Sequence, residues 1–376
     1  MYLKTHEKDT RPAFRRPRLD RLPALRAGDI ARAILFPGSP VFSADRHHRY
    51  YGYGRQALDD ALQVCGCTQG DTILYPDFTC DVTLEPAHRQ RLKVVYYPLK
   101  DDMTPDWTAL TAITRLSRAK VVMSVNFFGT PQPMAQWHQF ARDRSLLWIN
   151  DNAHGYGGMV EGKPLERHGD VSFTSMRKVL PLLNGSMLRV NRADLVKNLP
   201  ESSSMPIAAH LPIEEERRRV LRSIARAVGI SQRRPRETPY RCMPASGEMD
   251  TRRQIMDPVS KRLLSRYHPR RDAFAQIRRC LYAAWEQCCG DRGLQPVFPN
   301  LSPEASPMVF PCYAADFAHR QKWMDWSVAK NVDIYPWPSL PKALRYNVSP
   351  AVHRWRRLLC FPIHPFMTPE EIHARF

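Results

Sequence analysis

The sequence has no long hydrophobic run, and this excludes several classes of protein at once. None of its 376 residues belongs to an apolar stretch near the ~20 residues that a membrane-spanning helix needs, and residues 120–128, among the best candidates, are the length of a strand. The basic N-terminal segment is not followed by an apolar core, so we expect no secretory signal and a cytoplasmic location. Integral membrane proteins, collagen-like fibres and small disulfide scaffolds are excluded.

The cysteines are odd in number and mostly scattered. The nine cysteines include two close pairs, at 65 and 67 and at 288 and 289. Neither pair has further cysteine or histidine partners at the spacing of a four-ligand zinc site. We therefore expect reduced thiols and no metal centre.

Positive charge and proline are present in excess. The 56 lysines and arginines outnumber the 37 acidic residues, which gives a formal net charge of +19, and 33 residues are proline. Such a charge attracts nucleic acid through counterion release, and it would equally serve an anionic small-molecule substrate. The chain has no pattern typical of an RNA-binding aromatic sheet or a DNA-reading helix. Charge alone leaves both alternatives open.

Short apolar runs alternate with stretches of helical periodicity in the first half of the chain. The runs predict strands at 72–75, 93–97, 120–126, 146–150, 171–175 and 186–190. The periodic stretches predict helices at 55–64, 81–90, 106–115 and 133–144. Strands this apolar, alternating with helices, predict an α/β fold with a mostly parallel sheet flanked by helices.

The composition divides the chain into four expected parts. These are a basic Pro/Arg-rich arm over 1–34, a large α/β domain over 35–215, a basic linker or substrate-facing segment over 216–260, and a small C-terminal domain over 261–376. We expect the arm to be extended, because prolines at 12, 17 and 23 interrupt any long helix. A helix is predicted at 271–289 in the C-terminal part.

Three segments carry residues suited to cofactor or anion chemistry. Asp151 closes an apolar run, at the sheet edge where ligands bind, and could pair with a cationic ring nitrogen; a turn or N-cap role is the simpler interpretation. Lys178 could form an imine with an aldehyde, and Ser175 could reach a phosphate, although such a lysine is commonly a solvated surface charge. Gly54 opens a helix whose N–H groups could face an anion, or it is a plain N-cap.

Together these segments resemble the fold-type-I pyridoxal-phosphate-dependent enzymes and, more narrowly, the DegT/DnrJ/EryC1/StrS aminotransferase family. The motifs that carry the resemblance lie at 54–58, 70–80, 126–131, 151–155, 169–178 and 361–372. The Ser-x-Arg-Lys form that ends at Lys178, with Phe173 where the family commonly has serine, resembles a divergent branch. The resemblance implies a large domain with a mostly parallel sheet and a smaller C-terminal α+β domain.

The resemblance also implies a role for each matching residue. Lys178 would hold pyridoxal 5'-phosphate as a Schiff base and then move a proton between substrate and cofactor. Asp151 would keep the ring nitrogen protonated, and His154 would lie by the phenolic oxygen or the ring face, unless it is a core histidine. Gly54, Arg55 and Ser175 would hold the phosphate.

The residue that stacks on the cofactor ring would come from the segment after Pro76. Phe78, Thr79 and Cys80 are the candidates, and the sequence does not decide among them.

The implied activity is transfer of an amino group from glutamate or glutamine to a keto group of a sugar nucleotide or related biosynthetic metabolite, by a homodimer. Arg345 and the arginines at 233–236 are candidates to bind its anionic groups, with a solvated face as the alternative. A second hypothesis is a non-catalytic or differently reacting member of the fold that binds nucleic acid or an anionic carrier through arginines at 11–26 and 217–236. The presence of both Asp151 and Lys178 favours the enzyme.

Overall fold

The structure is a computed structural model. It describes residues 19–20, 23, 25, 27–35, 46–201, 254–337, 339–346 and 348–376. The arginine cluster at 233–236 and the greater part of the basic segments 1–34 and 216–260 lie outside these residues.

A mixed sheet of seven strands forms the centre of the described chain. The strands of the first half are β1 His48–Tyr51, β2 Thr72–Pro76, β3 Lys93–Tyr97, β4 Val121–Val125, β5 Leu147–Asp151, β6 Met159–Val160, β7 Lys163–Pro164, β8 Val171–Thr174 and β9 Ser186–Val190. The seven-stranded sheet has the order β1-β9-β8-β5-β4-β2-β3, and β6 pairs with β7 separately. Neighbours from β8 to β3 run parallel, whereas β9 and β1 are antiparallel to their neighbours. The predicted mostly parallel sheet is confirmed.

The helices up to residue 290 are α1 Ala27–Leu35, α2 Gly54–Val64, α3 Glu85–Arg89, α4 Trp107–Ser117, α5 Met134–Asp143, α6 Pro258–Tyr267 and α7 Arg271–Gly290. Helices α2 to α5 contact strands of this sheet. The helix predicted over 81–90 is instead a 3-10 turn, Asp81–Thr83, followed by α3. A continuous helix would need an N–H at residue 86 to bond the carbonyl of residue 82, and Pro86 has none.

Two further elements differ from the sequence-based expectation. Strand β1 was not predicted, because its sequence His-Arg-Tyr-Tyr has no aliphatic run. Helix α1 lies within the segment expected to be extended, since its nine residues contain no proline. It meets α6, where the Tyr267 hydroxyl donates to Asp29 Oδ2 over 2.9 Å.

The C-terminal part has its own small sheet and core. Its further elements are β10 Gln295–Pro296, β11 Val309–Tyr313, α8 Phe317–Lys330, α9 Lys342–Arg345, α10 Pro350–Arg357, β12 Leu358–Pro362 and α11 Pro369–His373. The three strands are antiparallel, in the order β10-β11-β12. A separate hydrophobic cluster includes Leu281, Trp285, Phe310, Trp323 and Phe361. This arrangement matches the expected α+β character, while the domain limits stay a prediction.

No helix of the described residues combines the length and hydropathy that crossing a membrane requires. The same residues contain no group of three histidine, cysteine, aspartate or glutamate side chains that could hold a metal ion. Their cysteines are free thiols, and five of the eight are buried.

Candidate active site

The predicted site residues meet at the carboxyl ends of β5 and β8. Asp151 is the last residue of β5, and Lys178 ends the 3-10 turn Met176–Lys178 that follows β8. The two strands are parallel neighbours, with Asp151 opposite Phe173 in the register. Because the carboxyl ends of parallel strands form one edge of the sheet, residues distant in the sequence come together here.

Asp151 is a buried carboxylate. Its Oδ1 accepts a hydrogen bond from the Ala153 N–H over 2.8 Å, and only 5% of the residue is exposed. Burial raises the pKa of Asp151 to about 6, although the Lys178 ammonium and the Ala153 N–H both act to lower this pKa. A cationic partner in the site would therefore stabilise the ionised form of Asp151.

Lys178 lies in surroundings that favour its neutral amine. Burial lowers the pKa of Lys178 and the Arg177 guanidinium lowers it further, whereas Asp151 and Cys80 act to raise this pKa. In the part of the chain that the structure describes, no hydrogen bond or salt bridge engages its Nζ. A lysine that loses its proton readily is a better nucleophile than a solvated surface lysine.

His154 is held as a neutral imidazole. Its Nδ1 accepts the Phe128 backbone N–H over 3.1 Å, and the pKa of His154 is lowered well below its ordinary value by burial and by Lys178. A neutral ring whose Nδ1 is an acceptor carries its proton on Nε2. The ring packs against Phe128 and Trp337, with centroid distances of 6.1 and 5.9 Å. His154 can therefore donate a hydrogen bond from Nε2.

A buried amide network holds the loop that follows β5. Asn126 Nδ2 donates to Asn150 Oδ1 over 3.1 Å and to Asn152 Oδ1 over 3.0 Å. Asn152 Nδ2 in turn donates to Thr174 Oγ1, at the end of β8, over 3.3 Å. All four side chains are fully buried. The network links the ends of β4, β5 and β8, which fixes the site residues relative to one another.

The start of α2 lies against Ser175. A Cβ placed on Gly54, the first residue of α2, would lie 3.8 Å from the Cβ of Ser175. Ser175 is 2% exposed, and its hydroxyl has no hydrogen-bond partner among the described residues. The Arg55 guanidinium forms a salt bridge with Glu85 over 2.5 Å. A helix N-terminus beside a buried hydroxyl suits a phosphate.

The three candidates for ring stacking have different surroundings. Phe78 has no exposed surface and packs on Phe127 and Trp337, with centroid distances of 6.1 and 5.1 Å. Thr79 is buried, and its hydroxyl bonds that of Thr83. Cys80 is half-buried and acts electrostatically on Lys178. These surroundings do not single out one of the three, and ring stacking by Phe78 stays a prediction.

Sequence reasoning missed two residues that shape the site. Trp337 packs against the ring of His154. It stands between two prolines in a segment whose sequence has no helical or strand periodicity. Arg278, 1% exposed on α7, donates to the carbonyls of Val179 and Tyr156, so it ties the segment after Lys178 to the segment after His154. An arginine on the apolar face of a predicted helix was the available signal.

Arg345, a candidate for binding substrate anions, lies near Cys80 but is already engaged. Its guanidinium forms a salt bridge with Asp81 and donates from Nε to the Leu340 carbonyl over 2.5 Å. Its role toward a substrate stays a prediction.

The mostly parallel sheet, with Asp151 and Lys178 at neighbouring strand ends, is the arrangement expected from the resemblance to the fold-type-I pyridoxal-phosphate-dependent transferases. Residues 46–199 match the model of the DegT/DnrJ/EryC1/StrS aminotransferase family. This match supports the resemblance predicted from the motifs over that part of the chain.

Known proteins similar to the chain include two curated relatives and a solved structure. GDP-perosamine synthase of Escherichia coli O157:H7 is 24% identical over 174 residues, which are 44% of this chain and 48% of that protein. The 3-amino-5-hydroxybenzoate synthase of Amycolatopsis mediterranei (strain S699) is 32% identical over 115 residues, 29% of this chain and 28% of that protein. The chain thus spans half or less of the length of these relatives.

The solved structure is Helicobacter pylori PseC, an aminotransferase involved in the biosynthesis of pseudoaminic acid. Its TM-score with this chain is 0.70 at 14% identity, and the match covers 96% of this chain and 97% of PseC. A match of this extent at such low identity establishes a common fold.

Proposed function

We propose that this protein is a pyridoxal-phosphate-dependent aminotransferase that transfers an amino group from glutamate or glutamine to a keto group of a sugar nucleotide. The observation that carries the proposal is the pairing of Asp151 and Lys178. They lie at the ends of neighbouring strands, and each shifts the pKa of the other. A buried acid and a half-buried amine that interact electrostatically at a ligand-binding edge are typical of a catalytic site.

The residues present fit pyridoxal 5'-phosphate at each of its functional groups. The N-terminus of α2 at Gly54 and the unpartnered hydroxyl of Ser175 suit the phosphate. Asp151 suits the ring nitrogen, His154 Nε2 suits the phenolic oxygen, and Lys178 suits the aldehyde. When bound, this cofactor supplies an aldehyde that reacts with amines and a ring that takes up the electrons of a carbanion.

The side chains supply the proton transfers and the charge balance. The lowered pKa of Lys178 leaves more of its amine unprotonated at neutral pH, so Nζ can take a proton from a substrate carbon and return it to another atom. Asp151, once it faces a cationic ring nitrogen, stays ionised and keeps that nitrogen protonated. His154 stays neutral and donates from Nε2.

The relatives and the charge of the chain support an anionic, sugar-linked acceptor. One curated relative is named for a GDP-linked amino sugar, and the structural neighbour PseC is named for pseudoaminic acid biosynthesis. A net charge of +19 attracts a nucleotide diphosphate by long-range electrostatics. A related keto metabolite without a nucleotide is the alternative acceptor, because the other relative is named for an aminobenzoate.

The test is the visible absorption spectrum of the purified protein with added pyridoxal phosphate. We expect a new band that borohydride fixes covalently on Lys178, located by peptide mass spectrometry, and that glutamate or glutamine bleaches. Lys178→Ala should lack the band. Lys163→Ala, which removes an exposed lysine on β7, is the matched control and should keep it.

Two results would count against this proposal. If the wild type shows no band, or if Lys178→Ala shows the same band as the wild type, Lys178 is not the residue that reacts with the cofactor. The hypothesis of a basic protein that binds an anionic partner would then take its place. The expected homodimer is a separate part of the proposal, and sedimentation equilibrium of the purified chain tests it.

A further inference from the structure

Arg177 is a half-buried arginine beside the start of α2. Its guanidinium carbon lies 5.1 Å from the centroid of the Tyr53 ring, and Tyr53 is the residue that caps α2. Ser175 precedes Arg177 by two residues and contacts Gly54, the first residue of α2. The guanidinium, the buried hydroxyl and the helix N-terminus therefore occupy the same corner of the site.

The charge of Arg177 is not balanced within the described part of the chain. Its Nε is buried without a hydrogen-bond partner, and no salt bridge joins the guanidinium to a described acidic residue. Three other arginines of this region have such partners. They are Arg55 with Glu85, Arg345 with Asp81 and Arg354 with Asp77. A partly buried cation without a counterion is costly, so an anion bound beside Arg177 would stabilise its guanidinium.

A phosphate group would supply the negative charge that balances the Arg177 guanidinium. Oxygen atoms of a phosphate accept hydrogen bonds from a guanidinium in a planar, charge-assisted geometry. The same group is stabilised by the positive end of a helix, here the N-terminus of the 11-residue α2. The buried hydroxyl of Ser175, which has no partner among the described residues, adds a neutral donor.

We propose that Arg177 binds the phosphate of pyridoxal phosphate, which adds a guanidinium to the phosphate site of Gly54, Arg55 and Ser175. This inference rests on the proposed function. Arg55 shares its guanidinium with Glu85, so Arg177 carries the charge that the phosphate neutralises. Because Arg177 is next to Lys178 in the chain, occupation of the phosphate site fixes the position of the reactive amine as well.

The experiment compares two ligands that differ only in the phosphate. Dissociation constants of pyridoxal phosphate and of pyridoxal are measured by spectral titration for wild type, Arg177→Met and Arg144→Met. Arg144 is the matched control, since its guanidinium also lies over a ring, that of Phe140, but near the opposite end of β5. We expect Arg177→Met to raise the dissociation constant of pyridoxal phosphate by about 10- to 100-fold. Its affinity for pyridoxal, and both affinities of Arg144→Met, should stay unchanged.

An equal loss for both ligands in Arg177→Met, or no loss for either, would overturn the inference. Stabilisation by inorganic phosphate, measured as a rise in Tm, gives a second readout that does not need Lys178. Phosphate should raise the Tm of wild type and Lys178→Ala but not that of Arg177→Met. This readout separates the two proposals, because phosphate binding through Arg177 would persist even if Lys178 never reacts with an aldehyde. Equal protection of wild type and Arg177→Met would exclude Arg177 as the phosphate ligand.

Discussion

Replacing Asp151 with asparagine is expected to make the cofactor-free protein more stable and its binding of the cofactor weaker. The folded-state pKa of Asp151 is about 6, above its ordinary value of 3.8, and burial is the largest cause. The folded state therefore binds this proton more tightly than the unfolded state does. The cost of ionising Asp151 grows as the pH rises from about 4 to about 6 and stays constant above that range.

The size of the effect follows from the pKa shift. A shift of about 2 units corresponds to about 3 kcal/mol of folding free energy near neutral pH. Near pH 5 the cost is about half as large, because Asp151 is then largely protonated in the folded state. Asparagine keeps the Oδ1 that accepts the Ala153 N–H, so the substitution removes the charge and retains this contact. The same substitution removes the carboxylate that we propose as the partner of the cofactor's ring nitrogen.

Urea unfolding of both proteins without cofactor, near pH 5 and near pH 8, measures the effect. The increase in unfolding free energy caused by Asp151→Asn should be larger near pH 8 than near pH 5 by about 1–1.5 kcal/mol. The control is Asp71→Asn, which should change stability in the opposite direction, because its Lys120 salt bridge lowers the pKa of Asp71. A loss of stability in Asp151→Asn near pH 8, or a gain that does not vary with pH, would refute the reasoning.

The fold itself allows two further predictions. Gly129→Ala should lose more than about 3 kcal/mol of unfolding free energy in urea, because residue 129 has a φ of +88° and a Cβ there would lie 2.1 Å from the Ser306 carbonyl oxygen. The control Gly162→Ala, with a φ of +70° and open space around it, should lose only about 1–2 kcal/mol, and equal losses would contradict the argument. Arg354→Met should destabilise by about 3–5 kcal/mol at neutral pH, since it leaves the buried Asp77 carboxylate unpaired. Adding Asp77→Asn to Arg354→Met should restore part of the lost unfolding free energy. If the double variant is no more stable than Arg354→Met, the unpaired Asp77 carboxylate is not the cause of the loss.

The sequence predicted the centre of the fold because buried parallel strands have a strong local pattern. The strands that begin at Val121 and Val171 are buried on both faces of the sheet, and their apolar residues can be recognised without tertiary information. Strand β1 is stabilised by its pairing with β9, so its own residues carry little signal. The break before α3 depended on one proline, Pro86.

The site was predictable where it follows from sheet topology and not where it depends on turns and distant loops. Asp151 and Lys178 both follow apolar strands, and the ends of such strands share an edge. The position of Arg177 over Tyr53 depends on the conformation of a three-residue turn. Trp337 packs against His154 although the two are separated by about half of the chain, and the enclosure of Phe78 depends on Trp337 as well.

The pairing of β1 with β9 sets an order for the assembly of the site during synthesis. Strand β1, His48–Tyr51, is paired in the sheet through β9, Ser186–Val190, and α2 begins three residues after β1. The N-terminus of α2 therefore cannot reach its final position until the ribosome has released the chain beyond Val190. Contacts between residues so distant in sequence form late. The phosphate site that we propose can therefore be completed only after Lys178 has been synthesised.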